Sequence, residues 1–319
     1  MTAGIEQALR GWAEDKGYRV AWYDGGIVQR AFERVRGLRE GGAIDPGFFA
    51  KFLAWTADPE LPAKADTRTF LLIGVPRPAH ILTFEDRGRS HDLVLPPTYL
   101  RYAALFDEVL ADLTAATGDV LKLRRTSAPL KTIAGLAGFA RYGRNNIAYV
   151  DGLGSGVQLM GFATDVTLPV SAPLPRSAPQ ALEECRSCRA CLKACPAKAI
   201  VEDRFLCRGE LCLTGFSESE GDLPAEFARL RTATLIGCLA CQERCPANRG
   251  RLRFERLPEV VSSEETAYIL GERGDGPPST GLAAKVGALG LSDILIGEKG
   301  PSSIFRRNLR ARLRDKSRH

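Results

Sequence analysis

The sequence has only three histidines among 319 residues, and no cysteine before residue 185 or after residue 245. So few imidazoles leave little scope for a histidine-built metal site. His80 and His91 lie outside any metal-ligand spacing, where a lone histidine is more often structural or exposed. No uninterrupted apolar run approaches the roughly 20 residues that a membrane-crossing helix needs. The opening stretch, MTAGIEQALRGWAEDKGYRV, carries acids where a secretory leader would be basic and then apolar, so a cytoplasmic protein with no membrane partner is expected. No repeat of solenoid period is visible.

What is present is a globular composition, 45% hydrophobic and 26% charged, long enough for one large or two medium domains. Helical and strand patterns alternate up to about residue 170. IEQALRGWAEDKG and IVQRAFERVRGLRE read as amphipathic helices around a strand YRVAWYD, and TRTFLLIGVPRP as a buried strand stopped by prolines. TYLRYAALFDEVLADLTAAT is the most periodic helix. DVLKLR, NIAYV and VQLMGFATDV read as strands, and PLKTIAGLAGFARYG as a helix opened by Pro129.

The fold class is thus α+β: an α/β domain over residues 1–168, a proline-rich linker at 169–179, a cysteine module at 180–255 and a small helical tail at 256–319. Net charge is only +6, but the last fifteen residues, FRRNLRARLRDKSRH, set seven basic residues against Asp315. With Phe305, Leu309 and Leu313 on one side, this reads as an amphipathic helix whose basic face is either solvated or an RNA contact.

All nine cysteines fall in one segment, a density that in a reducing compartment points to metal rather than disulfides. CRSCRACLKACP supplies Cys185, Cys188, Cys191 and Cys195 in the C-x2-C-x2-C-x3-C-P pattern of bacterial ferredoxins, whose fourth cysteine serves the other cluster of a pair. A second run, CLACQERCP, supplies Cys238, Cys241 and Cys245, but Leu235 stands where its first cysteine would be. The reciprocal rule gives a first 4Fe-4S site of Cys185, Cys188, Cys191 and Cys245, and a second of Cys195, Cys238, Cys241 and either Cys207 or Cys212. Zinc ribbons, built on paired C-x2-C knuckles, do not need the C-x3-C-P endings.

The front domain must hold whatever uses those electrons. Its notable stretch is AGFARYGRNNIAYVDGLGSG, residues 137–156. Gly138, Gly143, Gly152, Gly154 and Gly156 permit close backbone approach, and Arg141, Arg144, Asn145 and Asn146 supply donors for carboxamide, phosphate or carboxylate groups. It is not a G-x-G-x-x-G fingerprint, so no Rossmann nucleotide site is indicated, and a glycine-rich hairpin with a solvated basic edge is the plainer alternative. Tyr142 and Tyr149 would be packing residues before proton donors.

AGFARYGRN resembles the A-G-L-G-W-I-G-K-N pattern of the epoxyqueuosine reductases, cobalamin-dependent enzymes of queuosine-tRNA maturation, with Gly138, Gly143, Arg144 and Asn145 at matching positions. Gly154-Ser155 and Thr164-Asp165 match further short motifs, and the cysteine order of four, one isolated, then three is similar too. The resemblance favours Cys212, in CLT, over Cys207. It implies a nitroreductase-like domain followed by a ferredoxin-like double 4Fe-4S module. It also implies cobalamin held by Gly138, Arg141, Tyr142, Gly143, Arg144, Asn145, Gly154 and Ser155.

A reduced ferredoxin or flavodoxin-type donor would feed the clusters, and the corrin would reduce an electrophilic substrate, a small molecule or tRNA. One position departs from the pattern: Thr126 in RTSAP replaces the family's aspartate proton donor, and a threonine hydroxyl is a poor general acid near neutral pH. A paralogue with another substrate is therefore expected. The competing expectation is an iron–sulfur electron carrier or reductive activator of a partner protein, with no organic cofactor of its own.

Overall fold

The computed structural model describes residues 2–57, 67–175, 181–224, 233–273, 276–291, 296–297 and 300–314. In chain order the front part runs α1 (Thr2–Lys16), β1 (Arg19–Asp24), α2 (Gly26–Glu40), a short α3 (Pro46–Phe48), β2 (Thr69–Pro76), β3 (Ala79–Asp86) and β4 (Arg89–Leu95). It continues with α4 (Tyr102–Thr117), β5 (Arg124–Arg125), α5 (Leu130–Leu136), β6 (Ala140–Tyr142), β7 (Ala148–Val150) and β8 (Val157–Thr164). The cysteine segment holds α6 (Ala190–Ala194), α7 (Leu213–Ser217) and α8 (Ala240–Glu243). The remainder holds β9 (Phe254–Val261), α9 (Ser263–Ile269), α10 (Thr280–Ala288) and α11 (Ser303–Arg314).

The central sheet has the order β1-β2-β8-β5 and every pairing in it is antiparallel, with Asp24 opposite Thr69 and Thr69 opposite Thr164. β2 is apolar from Phe70 onward because both of its faces are covered. Leu71 and Ile73 pack with Leu9 of α1 and Leu113 of α4, while Phe70 and Leu72 pack with Phe32 of α2 and Ile133 of α5. The expected strand at 119–124 forms only at Arg124 and Arg125, since Asp119 and Lys122 turn the chain with positive φ. The helix expected across residues 129–143 stops at Leu136, because Gly138 takes a left-handed φ of 70° and the chain turns into the β6–β7 hairpin.

A second sheet, β4-β3-β9, pairs the β3–β4 hairpin with a strand from beyond the cysteines, β9 running parallel to β3. The tail therefore adds this strand to its helices. Leu82, Phe84, Leu93 and Leu95 of the hairpin share one core with Ile269, Leu282, Val286, Phe305, Leu309 and Leu313 of the tail. Leu235 belongs to that core and is 1% exposed.

The basic face expected on the last helix is largely spent inside the molecule. Arg307 donates to the carbonyls of Ser219, Phe216 and Gly221, Arg310 to Leu270 and Arg312 to Thr234, so neither solvent nor RNA is the main partner of these three. Residues 315–319 of that stretch lie outside the described residues, as do 176–179 of the linker. The linker's earlier part runs beside β1, where the indole of Trp22 donates to the Pro169 carbonyl at 2.7 Å.

Candidate iron–sulfur and cofactor site

Each cysteine run leads into one turn of helix, α6 or α8, whose end is followed by the C-P pair, so Cys195 and Cys245 are carried away from the cysteines preceding them. The thiols separate into two electrostatic neighbourhoods. Burial pushes the Cys185 and Cys191 thiols up, and the charges that add to it on Cys191 are Cys185, Cys245 and Cys188. Burial likewise raises Cys238 to about 11 and Cys241 further, and the thiols acting on both are Cys212 and Cys195. Cys207, raised first by burial and then by Cys212, lies near the second set, but it is not among the strongest charges felt by Cys238 or Cys241.

Four thiols crowded at low polarity resist ionising together. A polycationic iron cluster removes that conflict, because a coordinating thiol is held deprotonated by the metal charge. Backbone N–H groups already point at the sulfurs: Arg144 N to Cys185 Sγ at 3.3 Å, Ala190 N to Cys188 Sγ at 3.5 Å and Ala199 N to Cys195 Sγ at 3.3 Å. The donor set thus fits two 4Fe-4S clusters. Among the described residues, no three His, Cys, Asp or Glu side chains gather tightly enough to hold a single metal ion.

The glycine-rich stretch of the front domain folds directly against these thiols. Arg144 also donates to the Cys185 carbonyl at 2.6 Å, and the Leu182 N–H reaches Tyr142 O at 2.8 Å. Asn145 is buried, its amide donating to Tyr149 OH at 2.9 Å; the same amide meets Cys241, and Tyr149 OH meets Cys245. Tyr149 and Asn145 therefore span the gap between the two thiol sets. Gly143 has to be glycine, since a Cβ there would stand 2.3 Å from Asn145 Oδ1.

Gly154, at φ 70°, leaves room for Asn248, which accepts from Ser155 N at 2.9 Å and donates to Ser155 Oγ at 2.7 Å, while Ser155 Oγ donates to Gln242 at 2.7 Å. Asn145, Gly154 and Ser155 thus meet the cysteine segment. Gly138 and Arg141 line a separate cavity of ≈ 340 Å³, where Arg141 pairs with Asp151 at 2.7 Å. Gly143 and Arg144 line an open one of ≈ 690 Å³ together with Leu182, Cys185 and Phe205. Tyr142 stands edge-on to Phe205 and donates to the Lys131 carbonyl at 2.7 Å; burial pushes its hydroxyl up to about 12, which makes it a poor acid.

Two donors of the glycine-rich stretch, Arg144 Nε and Asn146 Nδ2, are buried without a partner, a chemistry that fits the carboxamide or phosphate oxygens of a corrin. Sequence reasoning missed Lys131, Gln242 and Asn248. The only signal for Asn248 was its place three residues after Cys245, in C-P-A-N.

Residues 184–248 match the family of 4Fe-4S double cluster binding domains. Epoxyqueuosine reductase of Bacillus subtilis is 30% identical over 140 residues, 44% of this chain and 34% of that protein. The chain resembles the epoxyqueuosine reductases. The structure of that enzyme from Streptococcus thermophilus superposes with a TM-score of 0.65 at 18% identity, covering 98% of this chain and 81% of the other. An epoxyqueuosine reductase solved with an epoxyqueuosine-modified tRNA-Tyr stem loop gives the same TM-score and identity over 99% and 82%. The chain spans about a third of the length of the curated relative it matches, and the structural likeness establishes the α+β fold. Among the described residues, no helix is long and apolar enough to cross a membrane.

Proposed function

We propose that the chain is an iron–sulfur oxidoreductase that uses two 4Fe-4S clusters and a cobalamin to reduce an electrophilic substrate. The observation that carries this reading is the pair of four-thiol sets lying against the glycine-rich turn of the front domain. Cobalamin, when bound, supplies a strongly nucleophilic reduced cobalt that no side chain can replace.

The protein's own part is holding and tuning. Cys185, Cys188, Cys191 and Cys245 would hold one cluster and Cys195, Cys212, Cys238 and Cys241 the other. The N–H groups of Arg144, Ala190 and Ala199 lower the electron density on three of those sulfurs, which raises the potential. Tyr149 and Asn145 fix the spacing of the sets. Gly143, Arg144 and Asn146 would meet the corrin, with the orphaned Arg144 Nε and Asn146 Nδ2 as donors to its side chains.

A reduced ferredoxin or flavodoxin-type protein is the proposed donor, in a cytoplasmic setting. The stem loop held by the structural neighbour makes tRNA the first substrate class to test, but Thr126 offers no carboxylic acid for an epoxide oxygen, and Arg307, Arg310 and Arg312 are committed internally. A substrate other than the tRNA epoxide follows.

The test is anaerobic reconstitution with iron, sulfide and cobalamin, reading all three together. The expected result is roughly eight irons and one corrin per chain. Intact clusters with no corrin bound would leave the electron carrier as the function, and stoichiometric zinc in place of iron would remove the redox enzyme altogether.

A further inference from the structure

Lys131 is the second residue of α5 and is held by two neighbours. Its ammonium donates to Asn146 Oδ1 at 3.1 Å and to the Asn146 carbonyl at 3.2 Å, and it lies 5.9 Å over the ring of Tyr142, whose hydroxyl pins the Lys131 carbonyl. By area the side chain is exposed, yet protein surrounds it so closely that desolvation holds its pKa below the ordinary lysine value, with Cys207 acting the other way. A lysine both reached by solvent and enclosed by protein stands in a concavity. Cys207, the thiol whose charge acts on Lys131, itself feels Cys212 and Cys195, so the ammonium lies on the side of the second thiol set.

The donors there do not balance. An ammonium has three N–H bonds and Asn146 accepts two of them. The Asn146 amide cannot be turned over, because its NH2 would then face the ammonium. Its Nδ2 is left buried and unpartnered on a residue 7% exposed. The backbone keeps it there: Asn146 sits at φ 59°, a left-handed position asparagine tolerates, with its N–H on the Gly143 carbonyl at 2.9 Å. Among the described residues no carboxylate pairs with Lys131. A cation with one N–H to spare, beside a buried amide that has no partner, is complementary to a bound oxygen anion.

We propose that Lys131 and Asn146 form a subsite for an oxyanion, a phosphate or carboxylate group of a bound small molecule, beside the second thiol set. The assignment rests on these donors alone and holds whether or not the chain takes a corrin. Two sources have the same chemistry: an anionic group of the substrate, or the phosphate in the nucleotide arm of cobalamin.

The experiment is a calorimetric titration of the cluster-loaded protein with inorganic phosphate, for the wild type, Lys131→Met, Lys131→Arg and Asn146→Asp, with cluster absorbance as the check on folding. Saturable binding is expected in the wild type, retained in Lys131→Arg and weakened by about tenfold or more in Lys131→Met and Asn146→Asp, as for loss of a charge-assisted hydrogen bond. Phosphate that fails to bind the wild type, or binds Lys131→Met equally well, overturns the proposal. Parallel titrations with cobalamin and with cobinamide, which lacks the nucleotide phosphate, identify the source. If Lys131→Met weakens cobalamin alone, the oxyanion is the cofactor's; if both corrins bind unchanged while phosphate is lost, it is the substrate's. A protein that binds phosphate but neither corrin would refute the cofactor reading and leave the subsite standing.

Discussion

The two cysteine runs share a motif and are braced in opposite ways. The first, Cys185 to Cys195, leans on the front domain: Arg144 bonds both the sulfur and the carbonyl of Cys185. The second, Cys238 to Cys245, is approached by a segment that belongs to the tail's core, with Leu235 buried beside Phe305 and Leu309, and Leu235 N donating to Val94 O of β4 at 2.9 Å. Where the first run offers a thiol, the second offers a core leucine, and in the proposed ligand sets its missing thiol comes from the loop at 207–212. A ligand position can therefore move along the chain when a neighbouring core takes its old place, provided something holds the new loop. Here Arg307 and Asn308 brace the chain just after that loop, gripping the carbonyls of Phe216, Ser217 and Ser219.

The comparison breaks most visibly at that imported ligand. Cys212→Ser should reduce the iron content from roughly eight to about four per chain, while Cys207→Ser leaves it unchanged, measured by iron and sulfide analysis. The reverse outcome would exchange the two cysteines and leave the bracing intact. Next in size, Leu235→Ala should destabilise the protein by about 2 to 5 kcal/mol through a cavity in the tail core, read by chemical denaturation.

Arg307→Ala would sharpen the contrast, since it strips the donor from the carbonyls of Phe216, Ser219 and Gly221, which follow Cys212 in the chain. A loss of about 1 to 3 kcal/mol is expected, with faster release of the second cluster's iron to a chelator and none from the first. The smallest effect concerns acid. Burial pushes the Glu265 carboxyl up, but the Lys285 ammonium at 2.7 Å and the Ser262 N–H outweigh it and hold the pKa below the ordinary glutamate value. The ionised form is the one the fold favours. Its stabilisation is complete above the usual glutamate pKa and is lost as pH falls through the lowered one. Hydrogen exchange of α9 should accelerate in that window, and Glu265→Gln should remove the dependence.

Much of this was legible because it is local. Cysteine spacing within each run, the apolar stretch of β2 and the period of α4 are properties of a dozen neighbouring residues. The β4-β3-β9 sheet was not legible, since β3 finds its parallel partner some 175 residues later, in a segment that reads as the start of a helical tail. The polar residues of the glycine-rich turn were visible as donors, but their direction was not. Asn145 and Ser155 face Cys241 and Asn248, partners that no local pattern announces. Lys131 carried no signal at all, because one lysine at a helix start looks like any solvated one until Asn146 and Tyr142 close around it.

The grip of α11 on the loop after Cys212 also sets an order of events during biosynthesis. The helix follows all nine cysteines along the chain, whereas Arg144 precedes them. A ribosome therefore makes Arg144, which cradles Cys185, well before it has made Arg307 and Asn308, which brace the chain after Cys212.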